Sequence, residues 1–190
     1  MIVYLHGFRS SPQSAKVRSL CAFMAERGLA AQLWCEQLPV SPREAITLAE
    51  SVIAARSAPV TLVGSSLGGY YATWLAEHHH LKAVLINPAV AAPQSLAAYV
   101  GTQTNLHTGE VFEFLPRHIE ELRALDVARI TQPENFLLLA EAGDEVLDYN
   151  DAVAKYNGCK QVVLAGGDHS FTRFDEYRIA ILEFAGLHCA

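Results

Sequence analysis

Residues 60–69 read VTLVGSSLGG, and this stretch decides the fold. A short run of β-branched and apolar residues leads into the motif G-x-S-x-G, and a helical pattern follows it. This strand–turn–helix setting is what makes the motif typical of a nucleophilic serine. Gly64 and Gly68 leave room where side chains two residues from the nucleophile would collide. The sequence therefore predicts Ser66 as a nucleophile, with the Leu67 N–H at the helix N-terminus as an oxyanion donor.

Apolar runs alternate with helical patterns along the rest of the chain. The strand candidates are continuous apolar runs, as expected for strands covered on both faces. They are Ile2–Leu5, Ala31–Cys35, Val60–Val63, Lys82–Ile86, Asn135–Leu139 and Gln161–Leu164. The main helical patterns are Pro12–Gly28, Ser41–Ser57, Leu67–His78, Asn150–Tyr156 and Asp175–Phe184. This order predicts an α/β fold, a three-layer α/β/α sandwich with about six mainly parallel strands.

Residues 88–134 interrupt the alternation. They separate the fourth and fifth strand candidates, are too many for one crossover helix and include four prolines. We expect short helices near Ser95–Val100 and His118–Leu125, and a turn at Asn105–Gly109. Insertions on an α/β sheet commonly shape a site or its cover. We therefore interpret residues 1–190 as a single domain in which residues 88–134 form a cap-like insertion.

Composition excludes several classes of protein. The chain has 190 residues, 51% hydrophobic and 18% charged, with a net charge of −6 and a pI near 5.7. An acidic chain without a basic stripe is a poor partner for nucleic acid or anionic membranes. No apolar run approaches the length of about 20 residues that spans a membrane, and the opening MIVYLHGF does not resemble a signal peptide. We expect a cytoplasmic protein.

The cysteines give no sign of a metal site. Cys21, Cys35, Cys159 and Cys189 form no C-x-x-C pair and have no metal-ligand spacing. In a cytoplasmic protein we expect them to be reduced thiols, with no metal and no disulfide framework.

An activated serine needs a base, and the base needs an acid that orients it. Ser65 competes with Ser66 as the nucleophile but lies one residue early in the motif. His169 is the preferred base, because its glycine-rich loop follows the last strand candidate, at the sheet edge where catalytic groups gather. The other histidines after the motif are expected on the surface (His78, His79, His80 and His188) or in the insertion, with pocket lining as an alternative (His107 and His118).

The acid is expected after the fifth strand candidate, because the chain order in this arrangement is serine, acid, histidine. Residues 140–148 there read AEAGDEVLD. Asp144 is preferred, because Val146 and Leu147 can then fold back as apolar packing. Asp148 can in turn cap the next helix. The alternatives are the other acids of the segment, Glu141, Glu145 and Asp148.

The exit of the first strand supplies the second oxyanion donor in this arrangement. Residues 4–8 read YLHGF, and Gly7 lets the backbone approach a substrate. We predict that the Phe8 N–H is this second donor. His6 precedes Ser66 in the chain, so we interpret it as a buried, hydrogen-bonded support of the loop and not as the base.

The motifs HGF, GSSLGG, GDEVLD and GGDHSF, in this order, resemble the α/β-hydrolase superfamily. The chain is more closely similar to the small bacterial YqiA-type esterase family and the related YcfP proteins, over nearly its whole length. The resemblance implies a cofactor-free cytoplasmic esterase for simple carboxylic esters or acyl-thioesters, with Ser66, Asp144 and His169 as nucleophile, acid and base. The chain differs from the larger superfamily by beginning at what is usually the third strand and by lacking an HGGG-type motif.

We expect acyl transfer to water through an acyl-enzyme, with a small acyl ester or thioester as the partner. A pocket is expected between the oxyanion loop, residues 87–90 and the insertion. Four insertion residues either line an acyl site there or pin the insertion to the core: Tyr99, Phe112, Phe114 and Leu115. The alternatives are an acyl-CoA-type thioesterase, with Arg9, Lys16 and Arg173 as basic contacts, and a non-catalytic binding module on a hydrolase fold.

Overall fold

The strand that precedes the serine motif lies in the middle of a parallel sheet. A computed structural model describes residues 1–187. The strands within that range are β1 (Ile2–Leu5), β2 (Leu33–Trp34), β3 (Thr61–Ser65), β4 (Lys82–Ile86), β5 (Gly101–Thr104), β6 (Val111–Phe114), β7 (Phe136–Glu141) and β8 (Lys160–Leu164). The main sheet has the order β2-β1-β3-β4-β7-β8, and all its neighbouring strands are parallel. β5 and β6 form a separate antiparallel hairpin.

Helices cover both faces of the main sheet. They are α1 (Ala15–Ala25), α2 (Pro42–Ala54), α3 (Leu67–His79), α4 (Ala92–Leu96), α5 (Pro116–Ala124), α6 (Tyr149–Lys155) and α7 (Phe174–Phe184). Three short 3₁₀ turns accompany them at Ala30–Gln32, Ala97–Tyr99 and Pro133–Asn135. Among residues 1–187, none of these helices is long and apolar enough to span a membrane.

The main sheet separates two hydrophobic cores. Successive strand residues point to opposite faces, so Val3 and Leu5 belong to one core, and Ile2 and Tyr4 to the other. Helices α1 and α7 cover the Ile2 side, whereas α2, α3, α5 and α6 cover the Val3 side. The predicted three-layer α/β/α sandwich with six parallel strands is confirmed.

Two helix starts follow the local chemistry of the sequence. The Ser41 hydroxyl accepts a hydrogen bond from the Glu44 N–H and caps α2, with Pro42 at the first helical position. The Asp148 carboxylate accepts from the Asn150 N–H and caps α6, as predicted. Capping satisfies backbone donors that a helix leaves unpaired at its start, which is why these boundaries were readable from sequence.

The structure differs from the sequence prediction in two places. β2 has two residues instead of the five of Ala31–Cys35, because Ala30–Gln32 forms a 3₁₀ turn. The hairpin Gly101–Phe114 was not predicted as strands, although the turn at Asn105–Gly109 was. Its first strand reads GTQT, a polar sequence that gives no apolar run to detect. The short helices expected in the insertion are present as α4 with the Ala97–Tyr99 turn, and as α5.

Candidate active site

The turn at Ser66 has the strained geometry that the motif predicts. Ser66 has φ 54° and ψ −120°, a left-handed conformation that non-glycine residues rarely adopt. Its N–H donates to the Ile86 carbonyl at 3.0 Å, which fixes the turn to the neighbouring strand. A Cβ on Gly64 would lie 2.3 Å from the Gly68 carbonyl oxygen, and one on Gly68 only 1.9 Å from the Leu5 carbonyl oxygen. Both glycines are therefore required for the close approach of α3 to β1 and β3.

Three side chains from three strand ends meet at this turn. The Ser66 hydroxyl lies 3.1 Å from His169 Nε2, and His169 Nδ1 lies 2.8 Å from Asp144 Oδ2. An ionised Asp144 accepts the Nδ1–H, so Nε2 is left as the acceptor for the serine proton. The structure therefore brings together the three residues that the sequence analysis selected, in the order serine, histidine, carboxylate.

Asp144 is held as an anion. Its side chain is only 2% exposed, and its Oδ1 accepts hydrogen bonds from the Val146 and Leu147 N–H groups at 2.9 Å each. Burial alone would raise the pKa of Asp144, but the hydrogen bonds from His169 and these two N–H groups outweigh it and lower the pKa below its ordinary value. Val146 and Leu147 were expected to fold back as apolar packing. Leu147 does pack on the core, but Val146 is exposed.

The other three acids of this segment, Glu141, Glu145 and Asp148, make hydrogen bonds elsewhere. Glu141 is fully buried and accepts hydrogen bonds from the Asp168 N–H at 2.8 Å and from Arg173 Nε at 3.1 Å. Glu145, which is exposed, accepts from the His169 N–H at 3.0 Å. Asp148 caps α6. Glu141 and Glu145 thus hold the histidine loop by its backbone and by Arg173, whereas Asp144 alone among these acids contacts the imidazole.

Asn87 is a site residue that the sequence reasoning did not assign a role. Its Nδ2 donates to the carbonyl oxygens of Asp168 (3.0 Å) and His169 (3.2 Å), and its Oδ1 accepts from the Glu141 N–H at 2.9 Å. It adopts φ 39° directly after β4. The sequence feature that could have identified Asn87 is its position, because it is a polar residue at the carboxyl end of a central strand. Asn87 ties the base-bearing loop to the end of β7.

The predicted oxyanion loop lies against the serine. A Cβ on Gly7 would be 3.2 Å from Ser66 Cβ, so only glycine lets the backbone pass this close without displacing the serine. Within residues 1–187, neither the Phe8 N–H nor the Leu67 N–H has a hydrogen-bond partner. Two free backbone donors beside the Ser66 hydroxyl have the arrangement that stabilises an oxyanion.

His6 supports the oxyanion loop, as expected. It is buried, its Nε2 accepts from the Leu38 N–H at 3.0 Å, and its Nδ1 lies 3.0 Å from the Gly7 carbonyl oxygen. Burial lowers the pKa of His6, so the neutral ring donates through Nδ1 and accepts through Nε2. Both ring nitrogens are engaged in holding the loop, and neither faces Ser66.

The hairpin of the insertion holds the other side of the oxyanion loop. The Phe8 ring packs edge-on against three rings of the insertion, with centroid distances of 4.9 to 6.0 Å: Tyr99, Phe112 and Phe114. Asn105 is buried at the hairpin turn and donates through Nδ2 to the Ser10 carbonyl at 2.8 Å. The Leu106 N–H donates to the Arg9 carbonyl at 2.8 Å. The hairpin is thus fastened to the loop by packing and by hydrogen bonds.

Two cavities border Gly7 and Phe8, and the second of them also borders Ser66. The first, about 260 Å³, is named here the Tyr71 cavity. Its apolar lining residues are Phe8, Leu38, Pro39, Val40, Leu67, Tyr71 and Phe112. Polar residues line it as well, among them Arg9, Gln37, Asn105 and Glu110. The second, about 210 Å³, is named the Lys16 cavity. It is bordered by the serine and the base together with Tyr4, Lys16, Leu106 and His107.

The expected position of the acyl pocket is corrected by these cavities. Residues 87–90 border neither of them, and the loop after β2 forms the wall instead. Of the four insertion residues considered, only Phe112 lines either cavity, whereas Phe114 is buried beneath Phe8. Tyr99, Phe112 and Phe114 pin the insertion to the oxyanion loop.

The remaining histidines have various environments. His107 lines the Lys16 cavity, whereas His118 is buried and accepts the Leu115 N–H at the start of α5. His78–His80 are exposed, as expected. His188 and Cys189 lie outside the described residues.

Cys21, Cys35 and Cys159 form no disulfide within that range, and no group of His, Cys, Asp and Glu side chains among residues 1–187 has metal-site geometry.

The chain belongs to the family UPF0227, described as an uncharacterised protein family, whose model matches residues 1–186. Solved structures of α/β hydrolases share its fold. The mouse α/β hydrolase domain-containing protein 10 is 17% identical with a TM-score of 0.71, and the match covers 96% of this chain and 87% of that one. A monoacylglycerol lipase from Paleococcus ferrophilus is 16% identical with a TM-score of 0.73, covering 98% and 94%.

A third similar structure is the esterase domain of a Rhodothermus marinus protein. It is 17% identical with a TM-score of 0.67, and the match covers 97% of this chain and 85% of that domain. The family model confirms the resemblance to YqiA-type proteins, and the similar structures show that the chain has the α/β-hydrolase fold.

Proposed function

We propose that this protein is a serine esterase that hydrolyses carboxylic esters through an acyl-enzyme on Ser66. The observation that carries the proposal is the hydrogen-bonded series from Ser66 to His169 (3.1 Å) to Asp144 (2.8 Å). A serine hydroxyl becomes a useful nucleophile only when a neighbouring base takes its proton. The esterase and lipase names among the similar structures agree with this chemistry.

In the proposed reaction, Ser66 Oγ attacks the ester carbonyl carbon while His169 Nε2 removes the hydroxyl proton. The tetrahedral oxyanion accepts hydrogen bonds from the Leu67 and Phe8 N–H groups, a stabilisation worth about 3 kcal/mol for each donor in such sites. His169 then returns the proton to the departing alcohol. Water attacks the acyl-enzyme with the same histidine as base, and Asp144 stabilises the imidazolium in each half-reaction.

The basic residues near the site favour an ester over an acyl-CoA-type thioester. Arg173 is paired with Glu141 and also donates to the Ala165 carbonyl. Arg9 donates through Nε to the Thr104 carbonyl. Lys16 borders the Lys16 cavity and donates to the Ser170 carbonyl at 2.6 Å. Of these three basic residues, only the Lys16 ammonium group therefore lies where it could meet a leaving group, and one cation is a poor match for a polyanionic CoA.

The proposal is tested with an ester and a thioester of the same acyl group, 4-nitrophenyl butyrate and butyryl-CoA. Wild type should hydrolyse the ester with the higher kcat/KM, and Ser66→Ala should lose about 10⁴- to 10⁶-fold in kcat on both. A preference for butyryl-CoA would make the thioesterase reaction the main activity. A wild-type protein inactive on both would contradict the proposal and favour a binding module on the hydrolase fold.

A further inference from the structure

The Tyr71 cavity lies next to the oxyanion donors but away from the base. Leu67 borders only the Tyr71 cavity, Ser66 and His169 border only the Lys16 cavity, and Gly7 and Phe8 border both. In acyl transfer the base protonates the leaving group, which therefore has to lie on the side of His169. If the alcohol occupies the Lys16 cavity, the Tyr71 cavity, which Leu67 borders, is the neighbouring space left for the acyl chain.

Tyr71 borders this space. It follows Leu67 by four residues on α3, so the two side chains share one face of the helix about 6 Å apart along its axis. An acyl chain whose carbonyl oxygen meets the Leu67 N–H therefore extends along that face toward Tyr71. Apolar residues line the cavity as well, Leu38 and Phe112 among others.

Tyr71 carries a hydroxyl into this lining, beside polar residues such as Gln37 and Glu110. The residue is only 3% exposed, and among residues 1–187 its hydroxyl makes no hydrogen bond. The hydroxyl oxygen is not fully enclosed, so it is open to the cavity. Burial also raises the pKa of Tyr71 well above its ordinary value, so the group is a neutral hydroxyl that donates and accepts.

The adjacent tyrosine of the same helix shows the usual arrangement. Tyr70 is buried to the same degree, and its hydroxyl donates to the Leu122 carbonyl at 2.9 Å. Tyr70 therefore anchors α5 to α3, whereas Tyr71 offers its hydroxyl to the cavity. The pair provides a matched control on one helix.

We infer that the Tyr71 cavity is the acyl-binding subsite and that it takes short or medium acyl chains whose far end carries a hydroxyl or another oxygen group. That oxygen group hydrogen-bonds to Tyr71, while the carbons before it contact the apolar lining residues. The inference rests on the proposed esterase function and specifies its substrate class. A volume of about 260 Å³ lies just below the usual range of ligand pockets, which suits one acyl chain and not a whole drug-sized molecule.

The test uses methyl esters of straight-chain acids of about four to eight carbons, each with and without a terminal hydroxyl, a range set by the size of small ligand pockets. The measured quantity is the ratio of kcat/KM for the hydroxylated ester to that for the plain ester. Wild type is compared with Tyr71→Phe and with the control Tyr70→Phe. Removing a hydroxyl without a partner costs the fold no hydrogen bond, so Tyr71→Phe is expected to fold.

At one chain length or more, wild type and Tyr70→Phe should favour the hydroxylated ester, and Tyr71→Phe should lower the ratio by about two- to tenfold, the value of one neutral hydrogen bond. A ratio that is the same in wild type and Tyr71→Phe at every length would overturn the subsite while leaving the esterase proposal intact. No turnover of any of the methyl or nitrophenyl esters would overturn both.

Discussion

Two loops face each other across Ser66, and the protein holds them by different physical means. The loop that carries His169 is held by a buried carboxylate and an amide, since Glu141 and Asn87 accept or donate hydrogen bonds along its backbone. The oxyanion loop is held mainly by the packing of the Phe8 ring against the hairpin and by the Asn105 amide. The first loop depends on charge, the second on aromatic packing and neutral hydrogen bonds.

This difference separates two requirements of the proposed chemistry. The base has to keep one orientation and one proton position, and charged hydrogen bonds in a buried setting are strong and directional. The oxyanion loop has only to present a backbone N–H, so aromatic packing together with neutral hydrogen bonds that fix the path of the chain is sufficient. The comparison predicts that changes to the first loop reduce both stability and activity, whereas changes to the second reduce mainly activity.

The largest effect is expected from Asp144→Asn. An amide at this position can hold His169 in the wrong tautomer, with Nε2 protonated and unable to accept the serine proton. We expect kcat to fall about 10³- to 10⁴-fold, measured with 4-nitrophenyl butyrate. Asp148→Asn is the matched control, because asparagine also caps a helix and should leave kcat within about twofold. Equal losses in the two variants would contradict the assignment of Asp144 as the acid.

The charge-dependent loop is broken next by Glu141→Gln. Arg173, whose side chain is 34% exposed, then loses its buried counter-charge, and a hydrogen bond to a charged group is worth about 1.5–3 kcal/mol. The free energy of unfolding, measured by urea denaturation, should fall by about that amount. Glu145→Gln is the control, since its hydrogen bond to the same loop is exposed and should contribute less than about 1 kcal/mol. Similar values for both variants would remove the contrast between the loops.

The packing-dependent loop is tested by Asn105→Asp. The aspartate keeps the Oδ1 acceptor for the His107 and Thr108 N–H groups but lacks the donor to the Ser10 carbonyl. A small displacement of the oxyanion loop should lower kcat about tenfold. The urea midpoint should change less than in Glu141→Gln. An unchanged kcat would show that the aromatic contacts alone position Phe8.

The smallest expected effect is a change in folding stability at acid pH. Burial alone would raise the pKa of Glu141, but hydrogen bonds from the Asp168 N–H and from Arg173 lower it below its ordinary value. The unfolded chain then binds more protons than the folded one, so this stabilisation is complete above about pH 5 and is lost as the pH falls through the folded pKa. The stability difference between wild type and Glu141→Gln should therefore shrink below about pH 4. A difference independent of pH would contradict this account.

The charged loop was more accessible from the sequence than the packed one. Ser66 and His169 follow strand ends within recognisable motifs, because the carboxyl ends of parallel strands meet at one edge of the sheet. Asp144 was preferred for a partly wrong reason, since Val146 does not fold back. Which of Asp144 and Glu141 contacts the imidazole is decided by the tertiary structure. Asp144 contacts His169, whereas Glu141 pairs with Arg173.

The packed loop could not be derived in the same way. Phe8 contacts aromatic residues about 90 to 105 positions later in the chain. Two of them lie on β6, whose partner strand β5 reads GTQT and gives no apolar run to detect. The role of Asn105 depends on a contact with Ser10 that no local rule predicts. Similarly, the Tyr71 cavity depends on the loop after β2, whose path is set by the His6–Leu38 hydrogen bond.

The central claim is that His169 activates Ser66, and intact-mass analysis after treatment with a fluorophosphonate probe tests it most directly. Wild type should gain one adduct, whereas Ser66→Ala should gain none and Asp144→Asn should react far more slowly. An unlabelled wild-type protein, or equal labelling of wild type and Ser66→Ala, would contradict the account.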